Sequence, residues 1–544
     1  MTGAEFIVKA LIIAGTDTVF GYPGGTVVSL CDALYKERGR VTTVRTSHEQ
    51  GAAHAADGYA RATGRAGVCF ATSGPGATNL VTGIATAYMD SVPTVFITGN
   101  VECSLIGTDS FQEVDMIGIT LSVTKHSYMV RSPGDLIKAM RDAFTLAMAD
   151  RRGPVLIDVP RDILETGFSG YADGLASMEP FSALPGTRGP DIYPETDEIR
   201  SMRSLLLSAE RPLVIAGGGA LRSGAGQFIL DLSRTLKLPV VSTLMGSGIL
   251  SSSVPEYLGM LGKNAPSYVK RAVGECDLIL AAGTRFSTHV RKPEMYARKT
   301  VLQIDTDRAE INKLLVPDVF VLGDAAAVLK TLLTGLPGQK TRAWTGSLTE
   351  EKAAEIKRVK TASVPEKGWL DGAGVLAELK AALGKGALIA TDVGNHQLLT
   401  ARTYPFDTED TFLTSGGLGT MGFGLGALIG AMLGCPGRKG ALVTGDGSFM
   451  MNMNELATAA ERKLPLIVLI MRNRQLGMVH DMQAECWGRR YSATKLGKLP
   501  DVKKLAGAFG IRGVKIRTLE QLRAELSAAI SENRALVLDV PVKG

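Results

Sequence analysis

One stretch in the last quarter of the chain constrains the fold more than any other. An apolar run ends in Gly445-Asp446-Gly447-Ser448, a helical pattern follows, and a second apolar run ends at Asn473. Parallel strands joined by a helix cross over in the right-handed sense, so both of their carboxyl ends emerge at one edge of the sheet. Ligands of open α/β sheets bind in the crevice at that edge. The pattern therefore predicts a parallel α/β sheet with Asp446 and Asn473 side by side.

The residue types at this edge suit a metal ion and a diphosphate. A carboxylate and an amide oxygen are hard ligands of the kind that Mg²⁺ takes in small number, with phosphate and water completing its octahedron. Gly447 and Ser448 begin the helix, whose free N–H groups favour a phosphate. The plain alternative is a surface turn followed by an unrelated strand-end Asn. A lone Gly-Asp-Gly would favour that alternative, whereas the Asn one strand later favours the metal site.

The chain divides into three parts, as a length of 544 residues predicts. Residues 166–195 are rich in Gly, Pro and Ser, residues 336–368 are charged, and both segments have the composition of linkers. We expect an N-terminal domain over residues 1–167, a central nucleotide-type domain over residues 190–336 and a C-terminal domain over residues 368–544. Each part alternates short β-branched runs with helical patterns, which is typical of parallel α/β domains. The runs include residues 155–159, 213–216, 278–281, 388–391 and 466–471.

The first and last parts contain a weak internal repeat. Residues 84–87, Ile-Ala-Thr-Ala, align with residues 456–459, Leu-Ala-Thr-Ala, in the register that also lays Pro93 on Pro465. Both copies follow the sequence strand, glycine turn, helix, proline, strand. The repeat predicts two domains of one topology.

Composition excludes several classes of protein. The net charge is only +6, and no Lys/Arg block carries interleaved aromatic residues, so we expect no nucleic-acid partner. No unbroken apolar stretch reaches the ~18 residues of a membrane span. The N-terminus lacks the basic start and cleavage site of a signal peptide, so we expect a cytoplasmic protein. The six cysteines form no CxxC pair, which favours reduced core residues over zinc ligands.

Glu49 is a candidate acid in apolar surroundings. Small residues follow it, and then an apolar strand, so its carboxyl group is expected to be partly desolvated. Desolvation raises the pKa of a carboxyl group and lets it share a proton. The plain alternative is an ordinary Glu in the first turn of a helix, where the dipole favours it.

The glycine-rich run at residues 415–424 contains a formal GxGxxG from Gly417 to Gly422. We reject a dinucleotide fingerprint, because an apolar helix and then Gly-Asp-Gly follow, with no strand-end acid at the distance that a ribose requires. The glycines instead predict that a cofactor contacts the backbone here, with Met421 as an apolar wedge.

Together these features resemble the thiamine-diphosphate-dependent enzymes, and among them the catalytic subunits of acetolactate (acetohydroxyacid) synthases. The similarity extends over nearly the whole chain, in the segments GYPGGTVVSLCDAL, SGPGATN, GTDSFQEVDMIGIT, TDVGNHQ, LTSGGLGTMGFG, GDGSFMMNMNELATA and LGMV. It implies three parallel-sheet α/β domains, which bind the pyrimidine of the coenzyme, a nucleotide, and the diphosphate with Mg²⁺.

The resemblance implies roles for individual residues. Glu49 would hydrogen-bond the pyrimidine ring, Gly419 would accept from the pyrimidine amine, and Met421 would hold the coenzyme bent. Mg²⁺ would be held by Asp446, Asn473 and the carbonyl of Gln475. The other implied coenzyme-binding positions are Gly24, Gly25, Val393, Gly394, Asn395, His396, Gly445, Gly447, Ser448, Leu476, Gly477 and Met478.

The implied reaction is a decarboxylating carboligation. Pyruvate loses CO₂, and the two-carbon unit, carried as hydroxyethyl-thiamine diphosphate, joins a second 2-oxo acid to give a 2-acetohydroxy acid, a step of branched-chain amino acid biosynthesis. Phe111, Gln112, Lys125, Met260 and Arg285 match positions that line the acceptor site, and the Arg285 fork suits a carboxylate. Core packing is the plain alternative for Phe111 and Met260.

The resemblance also implies partners. Glu49 and the metal site would meet across a subunit interface, in a homodimer or a homotetramer. It leaves open a separate regulatory subunit.

Two departures from the family pattern bear on function. Met482 stands where most of these enzymes have the Trp that favours 2-oxobutanoate as acceptor, and we expect little preference for that acceptor over pyruvate. A structural FAD is implied by Arg151, Gly218, Gly219, Thr243, Leu244, Gly283, Arg285, Asp305 and Asp324. However, Asn264 replaces the expected His, and Ser287-Thr288 replaces the usual acidic pair.

Other functions remain open at this point. The nearest is another thiamine-diphosphate-dependent 2-oxo acid decarboxylase or carboligase. A flavin-dependent pyruvate oxidase is a second, and a nicotinamide oxidoreductase, which rests on the GxGxxG alone, is the least favoured.

Overall fold

The structure is a computed structural model of the chain. It describes residues 1–180, 182, 192–262, 264–287, 296–338, 342–362, 368–407, 411–498 and 500–543. The predicted domain boundary at residue 190 lies outside these ranges, as does Thr288 of the departing pair.

The described residues form three six-stranded sheets, and all strand pairs in them are parallel. The first sheet contains β1 (Thr18–Tyr22), β2 (Thr42–Arg45), β3 (Gly67–Ala71), β4 (Thr94–Asn100), β5 (His126–Met129) and β6 (Pro154–Pro160). The second contains β7 (Pro212–Ala216), β8 (Val240–Ser242), β9 (Tyr257–Met260), β10 (Leu278–Ala282), β11 (Thr300–Asp305) and β12 (Val319–Leu322). The third contains β13 (Leu388–Thr391), β14 (Phe412–Thr414), β15 (Gly440–Gly445), β16 (Ile467–Arg472), β17 (Arg512–Lys515) and β18 (Leu536–Pro541).

Helices cover the faces of each sheet. Those of the first part are Gly3–Ile13, Val28–Lys36, Glu49–Thr63, Pro75–Asn79, Val81–Asp90, Met116–Thr120, Pro133–Met148, Arg161–Glu165 and Tyr171–Ala176. Those of the second are Asp197–Ser208, Gly218–Arg222, Gly226–Leu236, Ser267–Glu275, Ala325–Leu333 and Ala343–Ala362. Those of the third are Gly372–Leu383, Asn395–Thr403, Phe423–Gly434, Asp446–Asn452, Leu456–Glu461, Gly477–Cys486, Val502–Ala508 and Leu519–Ser531. Because helices lie on both faces, the central strands are buried throughout and read as continuous apolar runs.

The first and third sheets share one strand order. It is β2-β1-β3-β4-β6-β5 in the first sheet and β14-β13-β15-β16-β18-β17 in the third, which is the same permutation of strands taken in chain order. The prediction of two domains of one topology is confirmed. The second sheet has the order β12-β11-β10-β7-β8-β9, the arrangement of dinucleotide-binding folds, whose ligand crevice lies between β7 and β10.

The fold class predicted from the sequence, three parallel-sheet α/β domains, is confirmed. The apolar runs at residues 388–391 and 466–471 are strands β13 and β16 to within one residue. The helical pattern after Asp446 is interrupted, however, since a 3-10 turn at Met453–Glu455 separates two helices.

Both predicted linkers are folded in part. Tyr171 of the helix Tyr171–Ala176 is buried in the first core, with its ring 4.8 Å from that of Phe6. The charged segment after residue 336 contains the helix Ala343–Ala362, whose Leu348 is buried against the second sheet's domain. This helix buries only a narrow stripe of side chains, so its sequence is mostly polar and shows no clear helical period of apolar residues.

The first and third parts of the chain pack through two helices, Glu49–Thr63 and Phe423–Gly434. Glycines allow the contact: a Cβ on Gly58 would lie 2.0 Å from the carbonyl oxygen of Ala427, and a Cβ on Gly430 would lie 1.8 Å from that of Ala55. The two backbones therefore touch, and the Glu49 helix is fixed against the domain that carries Asp446.

Within the described ranges, no helix is long and apolar enough to cross a membrane. The six cysteines are free thiols.

Candidate active site

The carboxyl edge of the third sheet brings Asp446 and Asn473 together. β15 and β16 are hydrogen-bonded neighbours with Gly445 opposite Met471, so the residues that follow the two strands emerge side by side. Asp446 Oδ1 accepts from the Gly447 amide at 3.1 Å, and its Oδ2 accepts from the Arg474 amide at 2.7 Å. Burial raises the pKa of the Asp446 carboxyl group, so a cation beside it would restore its charged form.

Asn473 is held by its own loop. Its Oδ1 accepts from the Gln475 amide at 3.1 Å, which orients the side chain immediately after β16. Among the described residues, no three His, Cys, Asp or Glu side chains cluster as a metal site. A metal ion at this edge would therefore depend on Asp446 together with amide, carbonyl, phosphate and water oxygens, as Mg²⁺ does.

A cavity of about 480 Å³ opens at this edge, and we call it the metal-edge cavity. All the third-domain residues to which the sequence assigned coenzyme or metal line it: Val393, Gly394, Asn395, His396, Gly419, Met421, Gly445, Asp446, Gly447, Ser448, Asn473, Gln475, Leu476, Gly477 and Met478. They come from four separate segments, near residues 393–396, 419–421, 445–448 and 473–478, which the fold brings together.

Glycines keep the floor of the metal-edge cavity open. A Cβ on Gly445 would lie 2.9 Å from His396 Nδ1, and a Cβ on Gly477 would lie 2.9 Å from Asn473 Nδ2. Gly394 has φ +152°, a conformation that L side chains rarely adopt. A ligand can therefore approach the backbone here, as a diphosphate bound at helix N-termini must.

His396 is a buried polar group without a partner. Its Nε2 has no hydrogen bond, and burial lowers its pKa to about 4, so the ring is neutral at pH 7. A buried polar atom without a partner is costly. Because His396 lines the metal-edge cavity, an oxygen-rich ligand would satisfy it, and the residues present fit a metal-bound diphosphate.

A second cavity of about 650 Å³ lies at the carboxyl edge of the second sheet, and we call it the central cavity. It is lined by all the residues to which the sequence assigned flavin: Arg151, Gly218, Gly219, Thr243, Leu244, Gly283, Arg285, Asp305 and Asp324. Two acceptor-site candidates also line it, Met260 and the same Arg285. Gly283 has φ +57°, and a Cβ there would lie 2.3 Å from the Ala220 amide nitrogen. This glycine lets the loops after β7 and β10 close into one crevice.

The central cavity is rich in charge. Four arginines line it, Arg151, Arg152, Arg222 and Arg285. Arg151 Nη1 contacts Asp307 Oδ2 and Glu310 Oε1, each at 3.1 Å, and burial raises the pKa of the Asp305 carboxyl group to about 6. Clustered guanidinium groups favour a phosphate-bearing ligand, so the lining fits a nucleotide diphosphate.

The two cavities adjoin. Asn264, Val393, Asn395, Gly419 and Met478 line both of them. Asn264, Ser287 and Met482 all line the central cavity, so three of the positions that depart from the family pattern face the same space.

Three of the first-domain candidates, Glu49, Gly24 and Gly25, line neither cavity of their own chain. Glu49 is 9% exposed and its Oε2 accepts from Asn79 Nδ2 at 3.0 Å. Gly24 lies against Thr72, and Gly25 has open space around it. Within their own chain, these three residues are therefore apart from the metal edge.

The three acceptor-site candidates of the first domain are also apart from the cavities. Phe111 is 87% exposed, and Gln112 has φ +62° beside Gly74. Lys125 donates to the Ala149 carbonyl at 2.7 Å, and burial lowers the pKa of its ammonium group.

Several cavity residues escaped the sequence reasoning. They are Asp90, Arg152, Arg222, Arg402, Asp481 and Lys543. None belongs to a short motif. For Asp90 the sequence offers one indication, an acidic residue directly before the turn that leads into an apolar strand.

Comparisons with known proteins agree with this geometry. Three family descriptions match: "Thiamine pyrophosphate enzyme, N-terminal TPP binding domain" over residues 1–119, the central domain of the same enzymes over residues 199–332, and their C-terminal TPP binding domain over residues 392–540. The chain is 40% identical to the probable acetolactate synthase large subunit of Methanocaldococcus jannaschii, over 100% of this chain and 92% of that protein. It is 39% and 40% identical to the large subunits of acetolactate synthase isozymes 3 and 2 of Escherichia coli (strain K12), over 100% of this chain and 95% and 96% of theirs.

Proposed function

Because the chain belongs to the thiamine pyrophosphate enzymes, as a member of the acetolactate synthase type, we propose how its own residues carry out the reaction of that type. The protein is a thiamine-diphosphate-dependent carboligase that decarboxylates pyruvate and joins the two-carbon unit to a second 2-oxo acid, a reaction of branched-chain amino acid biosynthesis. The bound coenzyme supplies the carbanion and accepts the electrons of the departing CO₂.

The diphosphate end of the site lies in the metal-edge cavity. Asp446, Asn473 and the Gln475 carbonyl would hold Mg²⁺, and the free amides of the helix Asp446–Asn452 would bind the phosphates. The single observation that carries this assignment is the placement of Asp446 and Asn473 at adjacent strand ends, on a floor of glycines. The neutral His396 would line the same site with its buried Nε2.

The pyrimidine end of the site needs a second copy of the chain. Glu49, Gly24 and Gly25 line neither cavity of their own chain, and Phe111 of the same domain is exposed. A homodimer in which the first domain of one protomer faces the third domain of its partner would complete the site. There Glu49 would hydrogen-bond the pyrimidine and exchange a proton with it, in a setting that its own burial keeps partly free of water.

The acceptor 2-oxo acid binds where the two cavities meet. Arg285 suits its carboxylate, with Met260 and Met482 beside it in the same cavity and Phe111, Gln112 and Lys125 brought by the partner. In the structure Arg285 Nη2 donates to the Met89 carbonyl at 2.6 Å, which leaves the rest of its fork for the substrate.

FAD occupies the central cavity. The strand order of the second sheet, the close approach at Gly283 and the four arginines support a nucleotide with a diphosphate. The net reaction is not a redox reaction, so the flavin is structural. We expect purified protein to be yellow and to release flavin fluorescence on denaturation; a colourless, folded protein with full carboligase activity would contradict this assignment.

The relatives carry the words "large subunit" in their names, which supports a second, smaller polypeptide as a regulatory partner. Titration of activity with a candidate small subunit tests this.

The central test incubates the chain with pyruvate, thiamine diphosphate and Mg²⁺. We expect acetolactate, which acidification converts to acetoin, and no activity when Mg²⁺ is chelated. Asp446→Ala should weaken Mg²⁺-dependent coenzyme binding by more than about a hundredfold, because it removes a direct metal ligand. Asp501→Ala is the matched control: this exposed Asp caps the helix Val502–Ala508 in the same domain, and its loss should leave coenzyme binding unchanged.

A further inference from the structure

Glu455 is a buried carboxylate of the third domain that contacts the first domain. It is 0% exposed and ends the 3-10 turn that follows the helix Asp446–Asn452. Its partners on the first domain are the two residues that directly precede Glu49. The Ser47 amide donates to both Glu455 oxygens at 3.2 Å, and the His48 amide donates to Oε1 at 3.1 Å.

The contact is reinforced from both sides. Ser47 Oγ donates to the Asn454 carbonyl at 2.9 Å, and Thr458 Oγ1 donates to Glu455 Oε2 at 2.6 Å. The carboxylate thus holds backbone of the first domain while its own third-domain neighbours hold it.

A glycine makes room for the Glu455 carboxylate. A Cβ on Gly51 would lie 2.1 Å from Glu455 Oε1 and 2.5 Å from its Cδ. Gly51 belongs to the first turn of the helix Glu49–Thr63, so the carboxylate is seated on the N-terminus of that helix. The helix dipole and two backbone N–H donors favour an anion there.

The position of the helix start determines the position of Glu49. Glu49 is the first residue of the helix, and His48 is the N-cap of that helix. The His48 amide donates a hydrogen bond to Glu455. The Glu49 carboxyl group then has one further contact, from Asn79. With the backbone before it fixed by Glu455 and its Oε2 held by Asn79, Glu49 has little freedom to shift.

We propose that Glu455 is a positioning residue for Glu49: its buried carboxylate fixes the Ser47–His48 backbone and thereby sets the reach of the Glu49 carboxyl group. The inference rests on the proposed function, in which Glu49 exchanges a proton with the coenzyme. Glu455 follows the helix Asp446–Asn452, which begins at the proposed metal ligand. In the proposed dimer, one segment of the chain would therefore hold the metal of one site and position the Glu49 that serves the other site.

The test uses the holoenzyme with thiamine diphosphate and Mg²⁺. We compare wild type, Glu455→Gln, Thr458→Val and Glu461→Gln. Glu455→Gln removes the negative charge and leaves one acceptor oxygen, so only part of the set of hydrogen bonds from Ser47, His48 and Thr458 can remain, at little change in size. Thr458→Val removes only the hydrogen bond to Oε2. Glu461→Gln is the matched control, because Glu461 also bridges the two domains, through Arg45 Nη2 at 2.7 Å, without contacting residues 47–49.

Three measurements are made: exchange of the thiazolium C2 proton of bound coenzyme for deuterium, coenzyme affinity, and amide exchange over residues 45–52 in the coenzyme-free chain. General acid–base groups contribute about a hundredfold or more to such steps, so displacing Glu49 in Glu455→Gln should slow C2 exchange by about tenfold or more. Coenzyme affinity should change by less than about threefold, because the metal ligands are untouched. In Glu455→Gln the amides over residues 45–52 should exchange faster than in the wild type. Thr458→Val should give C2 and amide exchange rates between those of Glu455→Gln and the wild type, and Glu461→Gln should match the wild type.

The proposal is overturned if folded Glu455→Gln exchanges C2 at the wild-type rate, or if Glu461→Gln slows it equally. If Glu455→Gln does not fold, Thr458→Val decides, and a wild-type rate in that variant overturns the proposal. Failure of the proposed function is a different result, since wild type itself would then take up no coenzyme. The amide-exchange comparison would still show whether Glu455 fixes the backbone before Glu49.

Discussion

Met482 is 55% exposed on the wall of the central cavity, where the acceptor is expected to bind. A flexible thioether packs less specifically than an indole, so we expect little preference for 2-oxobutanoate over pyruvate. Met482→Trp should raise that preference by about tenfold, the usual return for one added apolar contact. Competition between the two acceptors, with the products separated, measures it. Met482→Leu conserves volume and should behave as wild type; strong preference in the wild type would refute the idea.

Asp158 gives the chain a pH-dependent stability. It is fully buried in β6, and burial raises its pKa to about 7 although Thr98 and Asn100 donate to it at 2.6 Å. The folded state therefore keeps a proton that the unfolded chain loses near pH 3.8. The stabilisation is complete below that pH and is lost as pH rises to about 7, at up to ~1.4 kcal/mol per pH unit from this group.

Asp158→Asn removes the ionisable group, so the folded and unfolded states no longer differ by this proton. Urea unfolding midpoints of the variant and the wild type should diverge between pH 4 and about pH 7, with the variant gaining relative to wild type as pH rises. Parallel midpoints across that range would contradict the assignment.

Among the elements, the contact between the helices Glu49–Thr63 and Phe423–Gly434 leaves no room for side chains. Gly58→Ala would place a Cβ 2.0 Å from the Ala427 carbonyl oxygen, and we expect it to lower the free energy of unfolding by about 1–3 kcal/mol. Gly274→Ala is the control, because Gly274 also lies in a helix but has nothing within 4 Å of a Cβ, and alanine there should stabilise by about 0.5–1 kcal/mol. Chemical denaturation measures both, and equal effects would show that the close contact is not limiting.

The elements also show how far the sequence leads. Runs such as residues 388–391 predict strands well, because a strand buried on both faces must be apolar along its whole length. The same reasoning brought Asp446 and Asn473 together. It missed the helix Ala343–Ala362, which buries too few residues to show a period, and the 3-10 turn at Met453–Glu455. Glu455 accepts from the Ser47 amide and Asp90 accepts from the Gly417 amide, and no local pattern records such contacts between distant parts of the chain.

At the scale of the whole molecule, the homodimer that we propose makes each site depend on two chains. Glu49→Gln and Asp446→Ala should each be inactive, yet a mixture of the two should recover about a quarter of wild-type activity, because half of the exchanged dimers are mixed and each has one intact site. Subunits are exchanged in dilute denaturant before assay. As controls, each variant is taken through the same exchange procedure alone, and both samples should stay inactive. No recovery in the mixture would place Glu49 and the metal of one site in the same chain.

The common strand order of the first and third sheets gives the two domains equivalent strand ends with different chemistry. The helix that follows β3 begins with Pro75, which has no N–H to offer a phosphate. The helix that follows the equivalent strand, β15, begins with Asp446. One architecture is therefore used twice, once as an anchor for anions and once as a frame for the acid Glu49.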